Sequence, residues 1–310
     1  MTQIVYLDQN AWVSLARGSW DKVRYPREHA TLTKVVETVQ RNHIVVPLTF
    51  TNLYETSKIN VPYRRANMAR VQALISGGTV FRDRRRILAE TLSAYIADKC
   101  SIPKKKLPPY WFISDLWFES AGDYSPDRYG FEISDRVIEC IRKDPARAMF
   151  DYLAFNDEAM RLEAVKRYSR GSADLLALIE VRRGIVANET LALRKRAYAA
   201  RMIINELDFI LATARLLGLA WSTVSDIGSS LVRSMIVDIP VFNVERELVV
   251  RLEDQARTIS ENDLRDMMAF MTALPLADVV VAEKQFVNLA RQAQLDKRYD
   301  TTLMTSIFDL

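Results

Sequence analysis

The sequence predicts an α/β protein in which a parallel sheet flanked by helices is interrupted by a long helical insertion. Three observations predict it. The chain opens as a β-α-β-α succession, the order that builds parallel strands through right-handed crossovers. Strand signal then fades through the middle and returns near the C-terminus. Neither end alone has enough strands for a sheet, whereas together they supply roughly four or five.

The elements follow in order. Ile4-Val5-Tyr6-Leu7 reads as a short buried strand that ends on the carboxylate of Asp8. From Gln9 the pattern turns helical through Trp12, Leu15 and Ala16, and Leu32–Val39 keeps the helical period. His43–Leu48 reads as the second strand. Thr49 to Lys58 is a strand-to-helix junction with Thr51 or Asn52 as the expected N-cap and Glu55 in the first turn. In the runs Arg136–Lys143, Asp157–Tyr168, Ser172–Arg183 and Leu191–Leu217 apolar residues recur at i, i+3, i+4 and i+7. Segment 101–130, richer in Pro, Gly and aromatics, is expected to be irregular. Ser234–Pro240 reads as a strand, followed by helices over 243–257 and 262–274, the latter closed by Pro275. A strand over 278–282, a helix over 284–294 and a last strand within Thr301–Ile307 complete the chain. The expected division is a discontinuous α/β domain of residues 1–63 and 236–310 around an insertion of residues 64–235.

Composition narrows the chemistry. The 310 residues suffice for one large domain or two, and 49% apolar with 26% charged residues is ordinary for a globular protein. Nine glycines are few, and neither G-x-G-x-x-G nor G-x-x-x-x-G-K-[ST] occurs, which disfavours dinucleotide and P-loop chemistry. Cys100 and Cys140, with only two histidines in the chain, make no zinc motif and are expected to be free buried thiols in a reducing compartment. There is no G-x-S-x-G element for a serine nucleophile. No leader or membrane span is expected, because Asp8 and Asn10 break the first apolar run and no other run is long enough. The expected location is the cytoplasm.

The candidate chemistry lies in the acids. An apolar strand that delivers a carboxylate at its C-terminal edge places it where open α/β sheets bind ligands. Clustered carboxylates repel one another unless a hard cation neutralises them. Asp8 ends the first strand, where its side chain can also cap the next helix, and Asn10 can orient a ligand from behind. Glu55 follows the second strand. Ser260-Glu261-Asn262-Asp263 reads as a capping box that gives Asp263 a structural role, and Asp266 shares its helix face. Asp278 and Glu283 bracket the strand Val279–Ala282, and a spacing of five turns them to opposite faces, with Glu283 at the C-terminal edge. Net charge is only +4, but Arg82, Arg84, Arg85 and Arg86 cluster, and Lys104-Lys105-Lys106 precedes Tyr110-Trp111-Phe112. Arg84, Arg85 and Lys105 are the candidate phosphate contacts, with aromatics to stack on bases.

This arrangement resembles the PIN-like nuclease superfamily. The resemblance rests on Leu7-Asp8-Gln9-Asn10, Leu53-Tyr54-Glu55, Asn262-Asp263-x-x-Asp266 and Asp278-x-x-x-x-Glu283-Lys284, and covers roughly the first 60 and last 75 residues. It implies a parallel sheet whose acids Asp8, Glu55, Asp266 and Glu283 bind Mg²⁺ or Mn²⁺ and cut RNA, with Asp263 and Asp278 as ancillary metal ligands. Glu283 stands where the family commonly has Asp. The function it implies is a divalent-metal-dependent endoribonuclease, such as a toxin or defence effector. The alternatives are an inactive nucleic-acid- or protein-binding module, or a DNA nuclease. The insertion is the expected surface for a homo-oligomer or a regulatory protein.

Overall fold

The computed structural model describes residues 2–122 and 133–310. At its centre is a sheet of parallel strands in the order β2-β1-β5-β6, built from β1 (Gln3–Leu7), β2 (Ile44–Val45), β5 (Val279–Val281) and β6 (Thr302–Met304). The two ends of the chain thus meet at its middle. Val5, Tyr6 and Leu7 register with Val279, Val280 and Val281, which in turn register with Thr302, Leu303 and Met304.

Both faces of the sheet are covered, and the period of two decides which residue goes where. Ile4, Tyr6 and Val280 enter a cluster with Leu264, Phe270 and Phe286. Val5, Leu7, Val279 and Val281 enter a second cluster with Trp12, Leu15 and Met68. A strand buried on both faces is why β1 and β5 are unbroken apolar runs.

Helices carry the chain between strands. α1 (Gln9–Trp20) starts on Asp8, whose Oδ1 accepts from Ala11 N at 2.9 Å. α2 (Pro26–Gln40) crosses α1 at Gly18, where a Cβ would lie 2.5 Å from the backbone carbon of Glu28. Only glycine allows that approach. α3 (Phe50–Ser57) is capped by Thr49 in a reciprocal box with Asn52, two or three residues earlier than the sequence suggests, so Glu55 falls in the second turn. α4 (Pro62–Ser76) follows, and β3 (Val80–Phe81) pairs antiparallel with β4 (Ile113–Ser114) across α5 (Arg84–Lys99). These strands were not expected; both are two residues long and too short to show alternation.

The middle is helical: α6 (Asp135–Lys143), α7 (Pro145–Phe155), α8 (Glu158–Val186), α9 (Leu191–Leu216) and the short α10 (Val224–Ile227). The runs 157–168 and 172–183 form one continuous helix, α8. The segment does not stand apart from the sheet. Ile179 reaches the first cluster and Met149 and Leu153 the second, while Ile87, Leu92, Ile210 and Phe242 form a third. Residues 123–130 of the expected irregular segment lie outside the described residues.

Ser234–Pro240 is not a strand. It falls in α11 (Ser229–Asp238), the cap residue Ile239 and the first residue of α12 (Pro240–Glu253). Met235, Ile236 and Ile239 bury one helical face in the third cluster, and that burial outweighs the strand preference of the run Ile236-Val237. α13 (Glu261–Ala273), α14 (Lys284–Gln292) and α15 (Leu295–Tyr299) complete the fold. Both cysteines are free, but neither is buried: Cys100 is half-buried and Cys140 exposed. No helix among the described residues is long and apolar enough to cross a membrane.

Candidate active site

The C-terminal edge of the sheet is where β1 and β5 release their carboxylates. Asp8 leaves β1 and Glu283 leaves β5, each at the start of a helix. Because the strands are parallel and in register at Leu7 and Val281, both acids emerge side by side. α3 adds Glu55 and α13 adds Asp266 from above. Asp8, Glu55, Asp266, Glu283 and Asn10 line one cleft of about 130 Å³, with Tyr6, Asn262 and Arg265. Asp8, Asn10 and Glu283 also border an adjoining depression of about 400 Å³.

The acids are held differently. Asp8 is 7% exposed, and its carboxyl is pushed up to about 6, first by burial and then by the nearby charge of Glu283. The Asp266 carboxyl rises to about 8 through burial, then repulsion from Glu283 and Asp8. Glu283 is exposed and accepts from Asn10 Nδ2 at 2.5 Å, so Asn10 fixes the direction of this carboxylate. Glu55 faces Arg265, whose Nε lies 2.5 Å from Oε1, and Lys58 Nζ is 3.6 Å away. That oxygen is buried and accepts no well-directed hydrogen bond.

The other five predicted positions do not line this cleft. Asp263 completes the capping box of α13 with Ser260, and its carboxylate also takes Arg257 Nη1 at 2.8 Å and Gln285 Nε2 at 3.2 Å. Its oxygens are occupied, as the capping signature foretells. Asp278 directly precedes β5, at the N-terminal end of that strand, and accepts from Ile4 N at 2.6 Å. It serves strand pairing, far from the cleft. The basic cluster is also engaged. Arg84 Nη1 reaches Glu206 at 2.8 Å and Arg84 Nη2 reaches Glu245 at 2.6 Å. Arg85 Nη1 reaches Glu206 at 2.5 Å, and Lys105 Nζ is 3.7 Å from Glu90. Arg84 therefore ties α5 to α9 and α12, and Arg85 ties α5 to α9 while its side chain stays 43% exposed.

Two ionisable residues that line the cleft, Arg265 and Tyr6, have no site role in the sequence analysis. Arg265 is buried, donates to Asn262 Oδ1, pairs with Glu261 Oε2 at 3.3 Å as well as Glu55, and lies 5.7 Å from the Tyr54 ring centroid. Its i, i+4 spacing from Glu261 was the available signal. Tyr6 is buried beneath the acids. Burial first, then the charges of Asp8 and Asp266, raise its hydroxyl well above the ordinary range and keep it a neutral donor.

The donor set is all oxygen, which suits Mg²⁺ or Mn²⁺ rather than a softer metal. Two of its carboxyls resist ionisation, first because they are buried and then because neighbouring carboxylates repel them. Among the described residues, no three His, Cys, Asp or Glu side chains already stand close enough to share an ion. The Arg265 guanidinium holds one of the four acids. No family model, no curated protein and no solved structure matches this chain.

Proposed function

We propose that the protein is a divalent-metal-dependent endoribonuclease of PIN-like type, with Asp8, Glu55, Asp266 and Glu283 as the metal-holding acids. One observation carries this reading. Four carboxylates from β1, α3, α13 and β5 converge on one cleft at the C-terminal edge of a parallel sheet, where burial and mutual repulsion raise two of them. A bound Mg²⁺ or Mn²⁺ would supply Lewis-acid activation of water and offset charge on the phosphate.

The chain's own residues do the rest. Asp8 is aimed by the Ala11 N–H, and Glu283 by Asn10. Tyr6 offers a neutral hydroxyl at the base of the cleft. Arg265 supplies the one guanidinium among the cleft-lining residues, suited to a phosphate oxygen once an ion takes its place on Glu55. A DNA substrate would use the same carboxylates, since they act on phosphate and not on sugar.

A second reading has a specific observation in its favour. The Arg265–Glu55 pair and the lack of a ready three-acid cluster suit a non-cleaving binding module. Incubation of single-stranded RNA and DNA with the protein in Mn²⁺, Mg²⁺ or EDTA separates the readings. Metal-dependent cleavage lost in Asp8→Asn, which keeps the cap, supports the nuclease. Cleavage that survives EDTA, or is unchanged in Asp8→Asn, overturns the metal mechanism.

A further inference from the structure

Arg84 and Arg85 are bound to glutamates, but three arginines without an ion pair among the described residues gather elsewhere. At the C-terminal end of α1, a groove of about 540 Å³ is bordered by Arg17, Arg24 and Arg64 and by the rings of Trp20, Tyr25 and Tyr63. That volume is within the roughly 300–1,000 Å³ of small-ligand sites. None of the three arginines meets a carboxylate among the described residues. They lie instead against aromatic faces: Arg17 and Arg24 are 5.9 and 5.4 Å from the Tyr25 centroid, and Arg64 is 5.8 Å from that of Tyr63.

The rings are placed to receive a flat ligand. Trp20 is 60% exposed and Tyr63 54%, although large apolar side chains ordinarily bury themselves. Their centroids are 5.5 Å apart with planes 34° from parallel, so they open as a wedge rather than stack shut. Val13, Ala16, Ile59 and Met68 give the groove an apolar floor. The one acid lining it, Asp21, turns its carboxylate to the backbone N–H groups of Val23 and Arg24. Flat aromatic faces flanked by uncompensated guanidinium groups match an unpaired base and its phosphate, and an apolar peptide would leave those charges unanswered.

The groove also points toward the acids. Asn10, Val13, Arg17 and Trp20 follow i, i+3, i+7 and i+10 and share one face of α1, with Asn10 in the acidic cleft and Trp20 at the groove. Ten residues of helix span about 15 Å. Stacked nucleotides at ~3.4 Å cover that distance in about four steps.

We infer that the Trp20–Tyr63 groove is a single-strand RNA subsite that stacks a base, pairs its phosphates with Arg17, Arg24 and Arg64, and hands the strand along α1 to the acidic cleft. The last step rests on the proposed nuclease reading; the binding does not.

The test is fluorescence anisotropy of a fluorescein-labelled ten-nucleotide oligouridylate with the full chain in EDTA, so that no cleavage intervenes. Trp20→Ala with Tyr63→Ala is expected to weaken binding about tenfold or more, with Trp20→Phe retaining most of the affinity. Arg17→Gln, Arg24→Gln and Arg64→Gln together are expected to lower the salt slope by about 2, at ~0.7 per phosphate contact. Circular-dichroism melts identify the variants that stay folded. Unchanged affinity in folded variants overturns the subsite. So does equal binding of duplex RNA, equal competition by an acidic peptide, or no binding by the wild-type chain. RNA bound but not cut in Mn²⁺ leaves the subsite standing and removes the nuclease reading. Cleavage with unaltered binding in the variants does the reverse.

Discussion

Arg265 Nε lies 2.5 Å from Glu55 Oε1, so a guanidinium occupies one corner of the acidic cleft. A fixed cation among carboxylates competes with any mobile one for the same oxygen. Arg265→Gln is therefore expected to tighten Mn²⁺ binding roughly tenfold, equivalent to about 1.4 kcal/mol, by isothermal titration calorimetry. Unchanged or weaker binding would mean that Arg265 orients Glu55 for the ion instead.

The metal-free protein should lose stability as pH rises. Asp8 and Asp266 have folded values of about 6 and 8, above the ~3.9 of an unfolded aspartate. The folded state then binds more protons than the unfolded state, from pH ~4 to 6 for Asp8 and to 8 for Asp266. Raising pH through that window deprotonates the crowded cleft and favours unfolding. In EDTA, Tm should be lower at pH 8.5 than at pH 5.5, and Asp266→Asn should recover about 2–4 °C of the difference. Mn²⁺ should raise Tm at the higher pH. A pH dependence identical in Asp266→Asn and wild type would assign the effect to other groups.

Asp263 and Asp266 should separate cleanly despite lying one turn apart. Asp263→Ala removes the capping box and the partner of Arg257, and is expected to cost about 2–4 kcal/mol in urea denaturation with Mn²⁺ affinity retained. Asp266→Ala is expected to leave stability unchanged or raised and to weaken Mn²⁺ binding. The opposite pattern would exchange their roles.

Arg84 should matter for folding rather than for nucleic acid. Burial opposes its charge, yet Glu245 and Glu206 more than offset that and hold it ionised. Arg84→Ala leaves Glu245 without a cation and the buried Glu206 with Arg85 alone, at an expected cost of about 3 kcal/mol. The salt dependence of RNA binding should not change. A flattened salt slope at full stability would return Arg84 to the binding surface.

Some of this was written in local sequence. The apolar run Ile4–Leu7 ending on Asp8, and Val279–Val281 leading to Glu283, determined two strands and their terminal acids, because period and punctuation act between near neighbours. Ser260 and Asp263, three residues apart, determined a helix start for the same reason. Pairing across the chain was decided only by the tertiary structure. Nothing near Arg84 announces Glu245, 161 residues away, so a cluster that is basic in sequence is neutral in space. Likewise Ser234–Pro240 has residues that suit a strand, and became helical because Met235, Ile236 and Ile239 found a core against α5, α9 and α12. A carboxylate becomes a ligand or a strut according to which cation reaches it, and that depends on how distant segments pack rather than on the residues beside it.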